Sequence, residues 1–538
     1  MKKWYLRLAA LCLSITMLAG CSLEGVKEAL RNQLPPPPAP EVVHFDDMVY
    51  TRPDMAELEE TLENACKAAK KDDLDRIDEA ILEFYAVYDE FYTCYALADI
   101  HYCKDMTNSE WEEEYQFCLE NSPAVDAALE ELYYALAKSP CLDELESDDY
   151  FGEGYFDSYQ GDNNWDEEFV TLLEEEAGLV DRYYDLSARG LEYDPYSEEF
   201  YTNCGNEMLE LLVELIGQRQ KIAAAWGYDN YSEFAWDFYH YRDYTPDQTE
   251  TYLAKIQSEL VPLYRDFYEN GLGVKYKRCS EKQTYRYVKD VAEAMGGKVA
   301  EAFALMDEAG LCDNAYGENK YDGSFEIYLD KYRQPYVFLN PTGYNYDYLM
   351  LAHEFGHFCN DYVSFGSYAG VDVMEIFSQG MEYLSLCYTE DAEDLTKIKM
   401  EDSLCTFVEQ AAFASFEMQM YRLTGDDLTV ENLRSLYDQV ARDYGFDSYG
   451  YDDREFVTIN HFFESPMYII SYVVSNDAAM QLYQLEQEKS GAGLELYEKY
   501  LDTTESYFLA FVEDAGLESP FADGRMEDIK KTFEQILK

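Results

Sequence analysis

The stretch Leu349–Tyr362, LMLAHEFGHFCNDY, holds two of the six histidines of this 538-residue chain, four positions apart, with a glutamate directly after the first. Histidines at i and i+4 lie on one face of a helix, about one turn apart, so the imidazoles of His353 and His357 converge on one point. Zinc accepts two such nitrogens at about 2.0–2.1 Å. Glu354 sits at the edge of that face, where it reaches a water on a metal rather than the metal itself. The spacing predicts a helix that carries two metal ligands with a base beside them.

A catalytic zinc needs a third protein ligand and one open position. No further histidine follows at the spacing of the three-histidine version, so a carboxylate must come from another helix. The next segment, GVDVMEIFSQGMEYLSL (Gly370–Leu386), places Glu375, Ser378, Gln379 and Glu382 at i, i+3, i+4 and i+7. They form one polar stripe on a helix otherwise lined by Met374, Phe377, Met381 and Leu384, the pattern of a buried polar site. Glu375 is the leading candidate for the third ligand and Asp372 competes with it.

Upstream, GSFEIYL (Gly323–Leu329) and QPYVFLN (Gln334–Asn340) are short runs rich in β-branched and aromatic residues, joined by the polar turn DKYR. They predict a small antiparallel hairpin that runs through NPTGYN into the histidine helix. Elsewhere the apolar residues recur at three- and four-residue spacing. Met55–Ile100, Ser122–Pro140 (SPAVDAALEELYYALAKSP, with serine-proline at both ends) and Asn206–Arg242 read as helical, with Gly227 breaking the last stretch and DNYS capping its second helix. His240, in that stretch, reads as a packing residue. A chain of this length that is 47% hydrophobic and 16% aromatic folds into two ordinary domains or one large two-lobed body.

The first 25 residues, MKKWYLRLAALCLSITMLAGCSLEG, have a basic start, an apolar run and small residues at the end, as a secretory signal does. LAGC (Leu18–Cys21) is similar to the bacterial lipobox, which implies removal of residues 1–20, lipidation of Cys21 and residence outside the cytoplasm, held to membrane lipid through that cysteine. Residues 21–45, with PPPPAP at Pro35–Pro40, read as a stiff tether. Residues 46–205 read as an N-terminal helical region and 206–538 as a catalytic region. Loss of Lys2, Lys3 and Arg7 with the leader takes the formal charge from −68 to −71. Such a chain is repelled by nucleic acid, which is excluded as a partner. Thirteen cysteines include Cys12 and Cys21, and none of the rest forms a C-x-x-C pair, against zinc ribbons and thioredoxin-like redox chemistry.

LAHEFGH followed by DVMEIFSQGMEY resembles the thimet oligopeptidase and oligoendopeptidase F family of zinc metallopeptidases. RQKIAAAWGYDNYSEF, the GSFEIYL and QPYVFLN pair, and INHFFESPMYIISYVVS (Ile459–Ser475) are similar to further segments of that family, so the likeness runs from about Met208 to Ser475. It implies a mainly α, two-lobed helical shell around a deep channel, with a small antiparallel sheet beside the active-site helix. It implies one zinc per chain on His353, His357 and Glu375, with Glu354 moving the proton, Glu382 holding a ligand histidine, and Cys359 a bystander. His461, Tyr468 and Tyr472 become candidates to contact substrate or to stabilise the oxyanion; Ile470 stands where a further tyrosine is expected, and the oxyanion role stays open between the two tyrosines. The implied activity is that of a zinc metalloendopeptidase hydrolysing short unstructured oligopeptides, which could add as a strand to the GSFEIYL edge. A peptide-binding lipoprotein without catalysis and a metal-dependent cell-wall amidase are the competing readings.

Overall fold

In the computed structural model, which describes residues 41–537 apart from 148–150, 153, 161–164, 166, 272–273, 367–368 and 391, apolar periodicity becomes helix along most of the chain. The leader and Cys21 lie outside the described residues. The N-terminal helices α1 (Met55–Ala69) and α2 (Leu74–Lys104) are separated at the KKDD sequence, and each starts on an aspartate, Asp54 or Asp73, whose side chain accepts a first-turn N–H. Helix α3 (Ser109–Leu136) corrects the expectation that Ser122-Pro123 opens a helix: it runs straight through Pro123. Proline leaves the carbonyl four residues back without its usual donor. Here the Ser122 hydroxyl donates to the Leu119 carbonyl at 3.0 Å instead.

Helix α4 (Glu167–Gly190) packs on α5 (Asn206–Ala225). The helical path through Glu198–Gly205 enters α5 without a break, so the chain crosses residue 205 inside a helix. Gly227, at φ +81°, turns the chain, and the Asn230 side chain caps α6 (Tyr231–Phe238) by accepting from Ser232 N at 2.7 Å.

Helices α7 (Glu281–Met295) and α8 (Gly297–Glu308) precede the sheet. The expected hairpin forms from β2 (Ser324–Leu329) and β3 (Gln334–Leu339), antiparallel, with Ser324 opposite Leu339 and Leu329 opposite Gln334. The sheet is mixed rather than antiparallel, because β1 (Cys312–Asp313) pairs with β3 in parallel and gives the order β1-β3-β2. A two-residue strand is too short to carry a period-two pattern. β2 is the outer strand.

The loop Asn340–Asn345 is tied to the start of α9 (Asp347–Ser364). The Asp347 carboxylate accepts from Thr342 N, Thr342 Oγ1 and Gly343 N at 2.6–2.9 Å. α9 packs on β2 and β3 and on α7 and α8, and crosses α10 (Val371–Ser385), which in turn lies against α12 (Ile470–Glu488). α11 (Ala392–Cys405) follows α10 in the chain. Leu349, Leu351, Phe355 and Phe358 of α9 are fully buried, in one apolar core that reaches from Phe45 to Phe533. Among the described residues no helix is long and apolar enough to cross a membrane, and the eleven described cysteines are free thiols.

The crossing of α9 and α10 is set by Gly356. A Cβ there would stand 2.5 Å from the Phe377 carbonyl oxygen and 2.6 Å from Ser378 Cα. Gly356→Ala is therefore expected to lower stability by about 1–3 kcal/mol, the usual cost of forcing a methyl group into a packed core, and to weaken metal binding by parting the helices. Thermal unfolding and metal content of the purified variant test this; an unchanged midpoint with full metal content contradicts it.

Candidate active site

α9 and α10 bring His353, His357 and Glu375 to one point. Their ligand atoms all lie within 4.8 Å of one another, and all three residues are buried. His353 Nε2 is 3.5 Å from Glu375 Oε2 and His357 Nε2 is 3.6 Å from Glu375 Oε1. Both Nε2 atoms are buried with no hydrogen-bond partner. Two orphaned imidazole nitrogens facing a carboxylate form the N₂O donor set of a divalent metal site, and zinc fits it.

The atoms behind the ligands fix their orientation. Glu382, one turn of α10 nearer its C-terminus than Gln379, places Oε1 2.9 Å from His353 Nδ1, which in the neutral imidazole leaves the lone pair on Nε2. Its other oxygen accepts from the buried Lys399 of α11 at 2.7 Å, and Lys399 also donates to Asp402 at 3.0 Å. Glu375 Oε1 accepts from the Tyr468 hydroxyl at 2.5 Å and Oε2 from Ser378 Oγ at 2.7 Å. Glu354, fully buried, accepts from Ser324 Oγ of β2 at 2.8 Å through Oε1, and its Oε2 has no partner.

Electrostatics separate the two glutamates. Burial works against the charge of Glu375, but His357, His353 and the Tyr468 hydroxyl outweigh it and hold the carboxyl at about 2. Burial pushes Glu354 above the usual carboxylate range, with the histidines and Ser324 only partly offsetting it. Two carboxyls a few ångströms apart are thereby set to different tasks, one to stay ionised and one to exchange a proton.

The second wall comes from the chain before and at the start of α12. Tyr468 reaches Glu375, as described, and Tyr472 and His461 Nε2 are hydrogen-bonded at 3.0 Å. The three rings lie 5.2–5.8 Å apart. Ile470 is buried at the start of α12. Asp372 is engaged elsewhere: Arg242 Nε lies 3.2 Å from Oδ2, the Tyr244 hydroxyl donates at 2.7 Å, and Ser471 Oγ is hydrogen-bonded to it as well. His240 is buried against the Pro466 carbonyl at 2.9 Å, and Cys359 lies in the core.

Ser324, Ser378, Lys399, Arg242 and Gly356 shape the site in ways the residue patterns did not assign. A glycine inside a helix costs about 1 kcal/mol relative to alanine, and that cost was the visible signal for Gly356. Lys399 carried no signal, because its partner Glu382 lies on another helix.

The family described as Peptidase M3 N-terminal domain matches residues 45–164, and that described as Peptidase family M3 matches residues 271–530. The chain belongs to peptidase family M3. An oligoendopeptidase F homolog of Borreliella burgdorferi is 24% identical over 340 residues, which cover 53% of this chain and 56% of that protein. The chain thus spans little more than half the length of this curated relative. Among solved structures, PZ peptidase A with an inhibitor superimposes with a TM-score of 0.81 at 21% identity, covering 92% of this chain and 99% of that one. A protein designated oligoendopeptidase F from Bacillus anthracis gives 0.78 at 22%, covering 92% and 98%. These likenesses establish that this family M3 chain has the helical fold of those structures.

The candidate metal site of this M3 chain couples to protons. Burial disfavours a charged His353, but the Glu382 hydrogen bond and the charges of Glu375 and Glu354 outweigh it and hold the imidazole up at about 9. In the metal-free chain His353 is therefore protonated at pH 7, and a metal must displace that proton. Zinc affinity is expected to rise with pH up to about 9, with about one proton released per chain at pH 7. Titration calorimetry in buffers of different ionisation heat measures this; affinity that is flat from pH 6 to 9 contradicts it.

Proposed function

We propose that the chain is a zinc-dependent peptidase that hydrolyses internal peptide bonds of short, unstructured oligopeptides. The observation that carries this reading is the convergence of His353, His357 and Glu375 with the unpartnered Oε2 of Glu354 beside them. His353, His357 and Glu375 would hold a zinc ion, which would supply Lewis acidity to the attacking water and the scissile carbonyl.

The chain's own residues do the rest. Glu354 takes the proton of the attacking water on Oε2, while the Ser324 hydroxyl on Oε1 fixes the plane of the carboxylate. Burial raises its proton affinity, which suits it to accept that proton and then deliver it to the departing amine. Charge that develops on the carbonyl oxygen needs a neutral donor near the metal. Tyr468 is already committed to the metal ligand Glu375, so its hydroxyl acts by holding that ligand. Tyr472, oriented by His461, is the tyrosine left to meet the oxyanion. The outer edge of β2 offers backbone groups to an extended peptide, which binds main chain without demanding one sequence.

Glu354→Gln is expected to lower kcat for a quenched fluorescent peptide by about 10²- to 10⁴-fold with zinc content unchanged. Full activity in that variant sinks the mechanism. The two tyrosines are expected to separate: Tyr472→Phe lowers kcat by about 10²- to 10³-fold at unchanged zinc affinity, whereas Tyr468→Phe weakens zinc by about 10- to 100-fold. The reverse pattern would exchange their roles.

The lipobox reading adds that this peptidase works outside the cytoplasm, tethered at Cys21; LAGC and the proline-rich spacer support it. Cys21→Ser is expected to move the protein from the membrane fraction to the soluble one. A wild-type chain recovered in the soluble fraction refutes the anchor.

A further inference from the structure

One pair of acids at the site is unused by the mechanism above. Ser324, Glu326 and Tyr328 alternate on the face of β2 that looks onto α9. Ser324 reaches Glu354, Glu326 reaches Asp361, and Tyr328 lies against Gly366, just beyond the end of α9. Asp361 stands four residues after His357, one helical turn beyond the second histidine.

Glu326 is 8% exposed, and its Oε1 atom is buried with no hydrogen-bond partner. After burial itself, the groups that act on it most strongly are the carboxylates of Asp361 and Glu354. Two other buried acids around the candidate metal ligands have cations from within the chain: Asp372 has Arg242, and Glu382 has Lys399. The strongest influences on Glu326 include no cation. Burying a carboxyl beside other carboxyls is costly unless a proton or a cation neutralises it. Burial, then Asp361 and Glu354, push its proton affinity well up. Asp361 is only half-buried, which leaves the pair open on one side.

We propose that Glu326 and Asp361 form a subsite for a cationic group of the substrate, an ammonium or guanidinium a few residues from the cleaved bond. This rests on the peptidase reading. The cation neutralises the two carboxyls, any proton held there leaving to solvent, and it bonds to the unpartnered oxygen of Glu326. The group can be a lysine or arginine side chain or the free amino terminus of the peptide. Both present the same positive donors.

Binding without turnover tests this in the full chain carrying Glu354→Gln. One peptide frame is made with lysine, norleucine or glutamate at each position in turn, with a free or an acetylated amino terminus, and dissociation constants are read by fluorescence anisotropy. Lysine at one position is expected to bind about tenfold or more tightly than norleucine, or the free terminus than the acetylated one. The first result identifies a side-chain cation and the second the terminal ammonium. Adding Glu326→Gln, or separately Asp361→Asn, is expected to remove that preference while leaving the norleucine or acetylated peptide within about twofold. No cation preference in the chain with both acids intact, or a preference that survives both substitutions, overturns the subsite. Cleavage of the same peptides by the wild-type chain with no charge dependence overturns the subsite alone, whereas absence of both binding and cleavage overturns it together with the peptidase reading.

Discussion

The close crossing of α9 and α10 at Gly356 is the constraint on which the metal site depends. His353 and His357 flank this glycine on α9, and Glu375 and Ser378 flank the backbone it touches on α10. Two helices with side chains at their crossing run about 8–10 Å apart. Here the backbone of one lies against the Cα of the other, and His353, His357 and Glu375 bring their ligand atoms within 4.8 Å. The same crossing sets Gln379 of α10 against α12, where its amide donates to the Tyr472 carbonyl and to Ser475. Helix spacing thus governs both walls of the site.

Around that crossing the charges are matched. Lys399, Glu382 and His353 form a continuous buried chain, and Arg242, Asp372 and Ser471 another. Buried ion pairs add little net stability, because desolvation offsets attraction, but removing one member leaves an uncompensated charge. Their effect is geometric: each carboxylate has one arrangement in which all its partners are satisfied. Glu382 can serve Lys399 and His353 together only with the imidazole turned so that Nε2 faces Glu375. The orphaned nitrogens are then a consequence of the surrounding pairs, and the fold presents them whether or not the metal has arrived.

The features legible in the sequence are those whose determinants are local. The i, i+4 histidines and the stripe of Glu375, Ser378, Gln379 and Glu382 follow helix periodicity, and the hairpin follows its β-branched and aromatic runs and their polar turn, so both survive into the structure. Asp372 shows the limit of that reasoning. It lies three residues from Glu375 on the same helix and has the right chemistry, and only Arg242, 130 residues away in sequence, takes it out of contention. Lys399 and β1 were invisible for related reasons: one is a lysine whose role depends on α10, the other a strand of two residues that exists because β3 is there to pair with it. At Ser122-Pro123 a local rule misled, since the serine expected to open a helix sits inside one and repairs it.

The wall that carries His461, Tyr468 and Tyr472 has little regular structure of its own before α12 begins, and its position is imposed from outside. Arg219 of α5, fully buried, donates to the carbonyls of Phe462 and Phe463 at 2.6 Å and to Glu176 of α4 at 2.6 Å. Tyr183 of α4 stacks on Phe463 with ring centroids 4.2 Å apart. At the other end Arg242 donates to the Met467 carbonyl at 2.9 Å, and Glu417 accepts from Met467 N at 2.7 Å, holding that residue at φ +64°. A non-glycine residue keeps such a conformation only where its surroundings over-determine it. Two arginines from the segment ahead of the metal helix therefore set where the tyrosines stand relative to Glu375. Because one of them is paired with α4, the N-terminal helices take part in the geometry of the site rather than merely covering it.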